Sequence, residues 1–429
     1  MRLFRFLIII LFISVLQIGC TKNQKDYYNT DFITLHVSII GLHYEIEVTK
    51  EIARNFEKEN PGIKIYVEPI TGTAYETKLM VLSAGGNPPD IIWLADVTLP
   101  DFASKGMLAC LDDFVKKDKE FNLEDYYPQI LEICKYKKKL YYLPREFASV
   151  VMYYNKTLFD KSGVEYPTNE WTWTEFYEKV KKLTKDINGD GIMDQIGYVA
   201  DLGWQAVRNS WLWQAGGSVY NDAFTECTIN TKESKEAIEF LAKLVKEKNI
   251  FLGAGHAQLE TFMTGKAAMM SQVRSVVPSL RHIKDFEWDV VSLPKFRKKV
   301  TLLGTCGYGI SLTTKHPEEA WKFLKYTAGP KGQTLLCKLG SIVPSIKSIA
   351  ESDTFLKSVP PRHNNVYLES IKYGRMVPIL KKYSELEDKI NTKLSSVFIG
   401  ERDAKKVCEE IKKEIDLILR KNMEEDEQK

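Results

Sequence analysis

Residues 33–94 alternate between strand-like and helix-like segments, and this alternation constrains the fold more than any other feature. The apolar segments 33–40, 63–70 and 90–94 are typical of strands. Between them, residues 47–60 and 75–84 carry apolar side chains at helical spacing. Strands separated by helices form parallel sheets with crossover helices. The pattern therefore predicts an α/β protein built on a parallel sheet.

Loops at the carboxyl ends of these strands are the first expected ligand-binding loops. In open α/β sheets, ligands bind in the crevice outside the carboxyl ends of the strands. Residues 41–45 and 94–98 lie at such ends and contain Glu45 and Asp96. Each acid could instead be a solvated loop residue or a helix N-cap.

The length and charge of the chain limit its class. At 429 residues, the chain is too long for one ordinary hydrophobic core and indicates two domains. Its 60 basic and 57 acidic side chains give a formal net charge of only +3. A nucleic-acid-binding protein would concentrate a basic excess on one face, so no nucleic-acid partner is expected. Aromatic residues make up 11% of the chain, which leaves aromatic surface available for a ligand cleft.

Residues 1–20 predict export. Arg2 and Arg5 precede a run over residues 6–16 that is apolar apart from Ser14. This run is short for a membrane-spanning helix, which needs about 20 apolar residues, and is typical of a signal peptide. An uncleaved signal anchor is the alternative.

The end of this segment resembles the bacterial lipobox at Gly19-Cys20, although Gln17 stands where an aliphatic residue is usual. The resemblance implies that Cys20 is acylated and becomes the mature N-terminus. Residues 21–31 are polar and would tether a soluble body to the outer face of the cell membrane.

Further elements are predicted after residue 150. A helix begins after residues 172–174, where Thr174 can act as the N-cap. The tail is expected to be helical and to end in a frayed acidic stretch. The remaining predicted elements are helices at 233–248, 260–270, 317–327 and 383–420 and a strand pair at 300–312.

Five stretches occur in a characteristic order. They are FEKENPGIKIYVE at 56–68, GGNPPDIIWLADVTLPDFASKGMLACLDDF at 85–114, LYYLPREFASVVMYYNKTLFDKSGV at 140–164, FMTGKAAMM at 262–270 and HPEEAWKFLKYTAGPKGQ at 316–333. Each is unspecific alone. Together they resemble the extracellular solute-binding protein family 1, the carbohydrate class that includes maltose-binding proteins.

The resemblance implies a periplasmic-binding-protein-like fold of type II, with two α/β lobes joined by a multi-strand hinge. The first lobe would comprise residues 32–147 and 300–346, and the second 148–299 and 347–429. The implied function is that of a substrate-binding lipoprotein of an ABC importer. A monomer would bind a mono- or oligosaccharide between the lobes, close by hinge motion and deliver it to the permease subunits, without chemistry.

The resemblance also implies where the ligand is held. A sugar offers hydroxyls and an apolar C–H face, so its site needs acceptors, arginine or backbone donors and flat aromatic rings. The implied ligand-binding residues are Glu45, Asp96, Arg145, Glu146, Trp204, Trp211, Arg274, Gly304, Thr305, Tyr373 and Arg375. Alternatives stay open: Arg145 and Glu146 could pair with each other, and a tryptophan at helical spacing could belong to the core.

Residues 186–194 read D-x-N-x-D-G-x-x-D and match the start of an EF-hand loop. The twelfth position is Gly197, so the bidentate glutamate of that loop is missing. We expect a structural Ca²⁺ site, and the alternative is a turn that needs no metal. The expected ligands are Asp186, Asn188, Asp190, the carbonyl of Ile192, and Asp194.

The sequence also bears on zinc binding, on enzymatic activity and on a sensory role. The six cysteines after Cys20 are widely spaced without a CxxC pair, which argues against a zinc site and leaves disulfides and buried thiols both open. No nucleophile elbow, HExxH motif or P-loop occurs. An exported glycosidase and a ligand-sensing subunit for a membrane kinase are the alternatives to transport, and a polyol phosphate is the alternative ligand.

Overall fold

The computed structural model describes residues 32–40, 43–70, 75–378 and 380–427. The predicted signal peptide, the lipidation site Cys20 and the tether lie outside these residues. In the described part of the chain, no helix is both long enough and apolar enough to span a membrane.

The first three strands are those predicted from the sequence, and the described residues form ten further strands. They are β1 (Ile33–Ile40), β2 (Ile63–Ile70), β3 (Ile91–Ala95), β4 (Lys135–Tyr136), β5 (Lys139–Leu140), β6 (Leu143–Ser149), β7 (Val151–Asn155), β8 (Tyr198–Ala200), β9 (Ile250–Leu252), β10 (Met269–Gln272), β11 (Trp288–Val291), β12 (Thr301–Ile310) and β13 (Gly374–Met376). The predicted strand pair at 300–312 is wrong, because β12 is a single continuous strand.

The helices surround two sheets. They are α1 (His43–Glu59), α2 (Tyr75–Ala84), α3 (Leu99–Ser104), α4 (Asp112–Lys117), α5 (Pro128–Ile133), α6 (Lys156–Lys161), α7 (Trp173–Leu183), α8 (Gln205–Ala215), α9 (Lys232–Lys246), α10 (His256–Met263), α11 (Val277–Leu280), α12 (Pro317–Ala328), α13 (Pro330–Leu339), α14 (Lys347–Ala350), α15 (Asp353–Leu356), α16 (Asn365–Glu369), α17 (Tyr383–Phe398) and α18 (Ala404–Glu427).

Three helix predictions need correction. The cap of α7 is Thr172, not Thr174: Thr172 and Glu175 form a reciprocal capping box. The helix predicted at 260–270 ends at Met263, because Gly265 adopts a left-handed conformation (φ +73°) and the chain then enters β10. The predicted tail helix is divided into α17 and α18 by Gly400 (φ +81°), and α18 stays helical through the acidic end.

The first sheet has the strand order β13-β12-β3-β1-β2, with β6 also paired to β12. β1 runs parallel to β2 and to β3, which matches the crossover pattern read from the sequence. Its core contains Leu35, Val37 and Ile39, all fully buried. We call this sheet and the helices packed on it lobe 1. β13 lies late in the chain, beyond residue 346, yet it joins this sheet.

The second sheet, in the order β11-β7-β10-β8-β9, forms lobe 2. Its core is rich in aromatic rings: Trp173 stacks on Phe240 with ring centroids 4.5 Å apart, and Trp211 lies 5.0 Å from Phe176. The C-terminal helices α17 and α18 pack against this core. A buried ion pair between Arg208 of α8 and Glu387 of α17 fixes their relative position.

Two antiparallel strands, β6 and β12, carry the chain between the lobes. Their register runs from Leu303↔Ser149 to Tyr308↔Leu143, and β6 continues through Val150 into β7 of lobe 2. The glycines of β12 permit close pairing rather than a turn: a Cβ on Gly307 would lie 2.0 Å from the carbonyl oxygen of Leu143. This requirement explains why a glycine-rich segment forms one strand.

Candidate functional site

A cavity of about 270 Å³ lies between the lobes, beside the strands that connect them. Its volume is slightly below the range of about 300–1,000 Å³ that is typical of small-molecule sites. Lobe 1, the connecting strands and lobe 2 all contribute to its wall. Its polar and aromatic lining comprises Glu45, Trp93, Asp96, Arg145, Glu146, Phe147, Trp204, Gln205, Arg274, Ser275, Thr305, Cys306 and Ser341.

One arginine joins two carboxylates on the lobe 1 side of the cavity. Arg145 Nη2 lies 2.8 Å from Glu45 Oε1 and 3.0 Å from Glu146 Oε1. Arg145 is 1% exposed, and its Nη1 has no hydrogen-bond partner among the described residues. Burial raises the pKa of Glu146 to about 7, because the loss of solvation and the nearby Glu45 outweigh the attraction of Arg145. Arg145 and Glu146 therefore pair with each other, which was one of the two alternatives, and both also line the cavity.

Asp96 is held by backbone donors at the end of β3. Its Oδ1 accepts from the amide of Val97 at 2.8 Å and its Oδ2 from the amide of Thr305 at 3.1 Å. Burial is the main cause that raises the pKa of Asp96 to about 6. A Cβ on Gly304 would lie 2.7 Å from Asp96 Oδ2, so this approach requires glycine. Gly304 and Thr305 therefore shape the cavity mainly by positioning Asp96.

Two indole side chains face the cavity from opposite lobes. Trp93, in β3 of lobe 1, packs edge-on against Tyr75 with ring centroids 5.7 Å apart. Its Nε1 is buried and makes no hydrogen bond within the described part of the chain. Trp204 of lobe 2 is partly exposed and forms the N-cap position of α8. Aromatic faces on both walls can contact the apolar face of one ligand.

A second buried arginine, Arg274, lines the cavity from lobe 2. It is 2% exposed and its guanidinium lies over the rings of Phe355 at 4.6 Å and Tyr367 at 5.3 Å. Its Nη1 donates to Asn364 Oδ1. Burial lowers the pKa of Arg274.

Three predicted ligand residues lie away from the cavity. Trp211 is 0% exposed in the aromatic core of lobe 2, because α8 begins after Trp204 and the two indoles do not share a helical face. Tyr373 lies beneath the ammonium of Lys299, 5.0 Å from its ring centroid. Arg375 pairs with the exposed Asp222 at 2.9 Å. The structure therefore places Trp211, Tyr373 and Arg375 outside this cavity, and ligand binding by these three residues stays a prediction.

Sequence reasoning missed several lining residues. Trp93 was read only as part of a buried strand, although its position three residues before Asp96 could have indicated the strand end. Cys306, a half-buried free thiol, follows Gly304 and Thr305 on the same strand. No sequence pattern identifies Gln205, Ser275 and Ser341 as cavity residues, because they are common polar residues outside any recognised motif.

The predicted calcium loop forms an exposed turn. Asp186 accepts from the amides of Gly189 and Gly191, each at 2.8 Å, and Asp194 accepts from the amide of Ile187 at 2.7 Å. Asn188 Nδ2 donates to Asp190 at 3.1 Å. Over the described ranges, no group of three or more His, Cys, Asp or Glu side chains is arranged to hold a metal ion. The loop is closed by its own hydrogen bonds, and calcium binding stays a prediction.

The six cysteines that follow Cys20 are all free in the structure. Four of them are buried and two are partly exposed. This arrangement agrees with the buried-thiol alternative.

Comparison with known proteins gives a consistent result. Residues 44–334 match the family described as bacterial extracellular solute-binding protein. The multiple sugar-binding protein of Streptococcus mutans is 25% identical over 358 residues, which cover 79% of this chain and 81% of that protein.

Solved structures show the same architecture. An ABC substrate-binding protein from Listeria monocytogenes, in complex with cycloalternan, is 28% identical with a TM-score of 0.83, covering 91% of this chain and 99% of that one. The maltose/maltodextrin-binding domain MalE from Bdellovibrio bacteriovorus, bound to maltotriose, is 21% identical with a TM-score of 0.79, covering 90% and 100%. The predicted two-lobed fold of type II is therefore confirmed.

Proposed function

We propose that this chain, which belongs to the bacterial extracellular solute-binding proteins, binds a carbohydrate between its lobes for delivery to an ABC importer. The family and the fold are those of solute-binding proteins rather than enzymes. The Streptococcus relative and the Listeria structure, named for a sugar or solved with one, support a carbohydrate ligand.

One observation carries the proposal: the cavity is lined by one indole from each lobe, Trp93 and Trp204, together with carboxylate and guanidinium side chains. Glu45, Asp96 and Glu146 supply acceptors to this lining, and Arg145 supplies donors. Such a lining favours a ligand that forms hydrogen bonds with it, because a polar group buried without a partner is costly. A sugar does so, because each hydroxyl both donates and accepts.

The division of the site between the lobes supports binding coupled to closure. Glu45, Trp93 and Asp96 belong to lobe 1, while Trp204 and Arg274 belong to lobe 2. A ligand can favour the closed arrangement only through contacts that the open arrangement lacks. Contacts from both lobes provide that difference, and the strands β6 and β12 provide the hinge.

The proposal includes a location: the protein is exported and is anchored to the cell membrane by a lipid on Cys20. The signal-like residues 1–20 and the polar tether 21–31 support it, together with membership of an extracellular family. Delivery to permease subunits by a monomer completes the proposal. Mass spectrometry of the protein purified from membranes tests the anchor: an acylated N-terminal Cys20 is expected, and an intact residue 1–20 segment would contradict it.

A thermal-shift screen of residues 21–429, the mature protein without its lipidated Cys20, tests the ligand class. The panel contains mono- and oligosaccharides, amino acids and organic phosphates. A ligand at 100 times its Kd adds about 2.7 kcal/mol to the free energy of unfolding. Stabilisation by a carbohydrate is the expected result. Stabilisation only by amino acids or non-sugar phosphates would overturn the proposal.

A further inference from the structure

The charged groups that line the cavity between the lobes differ in how accessible they are. The side chains of Glu45 and Glu146 are 12% and 13% exposed, whereas the Arg145 side chain between them is 2% exposed. Glu146 Oε1 accepts a hydrogen bond from Arg145. Glu146 Oε2 makes no hydrogen bond with the described residues and remains accessible to solvent. This cluster therefore presents a free carboxylate oxygen, while its guanidinium is almost closed to solvent.

Arg274 does not offset this negative charge. Its Nε and Nη2 are closed to solvent, and its Nη1 donates to Asn364. The guanidinium lies over the rings of Phe355 and Tyr367, neither of which lines the cavity. No lysine or histidine is among the described residues of the cavity wall. The described wall therefore has no free cation that a ligand could contact.

Asp96 is a further carboxylate of the wall that has no cation beside it. It is 8% exposed, and its two oxygens accept from the backbone amides of Val97 and Thr305. No lysine, arginine or histidine of the described residues forms an ion pair with it. Backbone dipoles offset only part of a full charge, so burial still raises the pKa of Asp96 to about 6. A positive group beside Asp96 would stabilise its ionised form.

Asp96 and Glu146 lie on two sides of one strand. In β12, Cys306 pairs with Ala95 of β3 on one side and with Glu146 of β6 on the other, and Asp96 directly follows Ala95. Neighbouring strands are about 4.8 Å apart, so the two acids flank Cys306. After burial, Glu146 and then Asp96 are the largest causes that raise the pKa of the Cys306 thiol. The two carboxylates therefore form one negative region of the cavity wall.

The indoles of the cavity are a second feature that favours a positive group. Trp93 lines the cavity from lobe 1 and Trp204 from lobe 2. The face of an indole attracts a cation that lies within about 6 Å of the ring centroid, and tryptophan does so best among the aromatic residues. The same rings can contact the apolar C–H face of a sugar. The negative region and the two indoles together match a ligand that has both an apolar face and a positive charge.

We propose that the carbohydrate bound in this cavity carries a protonated amino group, and that Glu146 and Asp96 receive it. This inference rests on the proposed function and narrows its ligand class to amino sugars. An acidic sugar or a polyol phosphate would be repelled by the two carboxylates and would find no free cation among the described residues. The hydroxyls of a neutral sugar can donate to the carboxylates but leave their charge uncompensated.

Matched sugars test the inference on the unmodified mature protein at pH 7, where a sugar amine carries a proton. One series contains D-glucose, D-glucosamine, N-acetyl-D-glucosamine and glucose 6-phosphate, and a second contains the corresponding galactose derivatives. Each series also includes the disaccharides of its neutral and amino members. The acetamide controls for the size of the substituent, since it has no charge.

Titration calorimetry is expected to show that the amine binds at least about 10-fold more tightly than the hydroxyl and acetamide forms, as one close charge pair provides. Equal or tighter binding of a neutral or phosphorylated member overturns this inference and leaves the proposed function standing. Binding of no sugar overturns both.

Variants connect the preference to the two acids. Glu146→Gln and Asp96→Asn remove one charge each and should lower affinity for the amino sugar by about 10-fold, while affinity for the neutral sugar changes far less. Glu132→Gln is the matched control: it removes an exposed carboxylate that pairs with Lys135 outside the cavity, and it should retain the preference. Glu146→Asp keeps the charge and should retain part of the preference.

A preference for the amine that survives in both Glu146→Gln and Asp96→Asn contradicts the inference, and its loss in either variant supports it. If neither variant folds, Glu146→Asp and the matched sugars on the unmodified protein decide.

Discussion

Arg145 Nη2 lies 2.8 Å from Glu45 Oε1, across a separation of 100 residues in the chain. The pair links the first crossover of lobe 1 to the first residues of the connecting strand β6. Because the same nitrogen also donates to Glu146, one guanidinium contacts two glutamates, the buried Glu45 and the partly buried Glu146. The cavity between the lobes and the beginning of the connecting strand β6 therefore share a charged cluster.

Removing the guanidinium should destabilise the protein strongly. Arg145→Met leaves Glu45 and Glu146 buried without their cation, at a cost of about 3–5 kcal/mol in the free energy of unfolding. Urea denaturation at pH 8 measures it. Arg375→Met removes a partly exposed arginine that pairs with the exposed Asp222 and should cost about 1 kcal/mol or less. Equal losses in the two variants would show that the cluster does not stabilise the fold.

Gly304 should tolerate no side chain. A Cβ there would lie 2.7 Å from Asp96 Oδ2 and displace the carboxylate from the Thr305 amide. Gly304→Ala is therefore expected to cost about 1–3 kcal/mol. Gly62→Ala is the matched control, since a Cβ on Gly62 would contact nothing within 4 Å. Chemical denaturation of both variants gives the comparison, and a neutral Gly304→Ala would mean that Asp96 can move freely.

The free energy of unfolding should carry a pH dependence from Glu146. Its pKa is about 7 in the folded protein against an ordinary 4.5, so between these values the folded state holds a proton that the unfolded state has released. This group therefore makes stability fall as pH rises from about 4.5 to about 7, with no further change above that. Glu146→Gln removes this contribution. Unfolding of both proteins at pH 5 and pH 7.5 should show a smaller loss for Glu146→Gln, and parallel losses would refute the assignment.

Calcium binding at residues 186–194 makes a separate prediction. If the loop binds Ca²⁺, a chelator lowers the Tm and added Ca²⁺ restores it, because a ligand of the folded state stabilises it. Asp186→Asn and Asp190→Asn should abolish the response. A Tm that is insensitive to chelator would identify the loop as a turn closed by its own hydrogen bonds.

The sequence predicts local structure well where one pattern dominates. The hydrophobic periodicity of residues 33–84 places β1, β2 and α2 at the observed bounds. It fails at β12, because Gly304 and Gly307 suggest a turn when read alone. Their actual role is close packing against Asp96 and Leu143, which lie far away in the chain.

The cavity was predictable only in part for the same reason. Asp96 follows a strand end, so a general rule of α/β sheets identifies it. Trp204 and Trp211 have the spacing of one helical face, so the sequence does not distinguish them. Trp204 precedes the first residue of α8 and lines the cavity, whereas Trp211 lies within α8 and is buried in the core. The burial of Arg274 among Phe355, Asn364 and Tyr367 depends on tertiary contacts, which no local pattern reveals.

Calorimetric titration of the mature protein with the carbohydrate that stabilises it most is the most direct test of the cavity as a sugar site. Unmodified protein and Arg375→Leu are expected to bind one equivalent. Trp93→Ala and Trp204→Ala should each lose affinity by about 1–3 kcal/mol, since each removes one aromatic wall. Unchanged affinity in both tryptophan variants, or binding of no carbohydrate at all, would contradict the account.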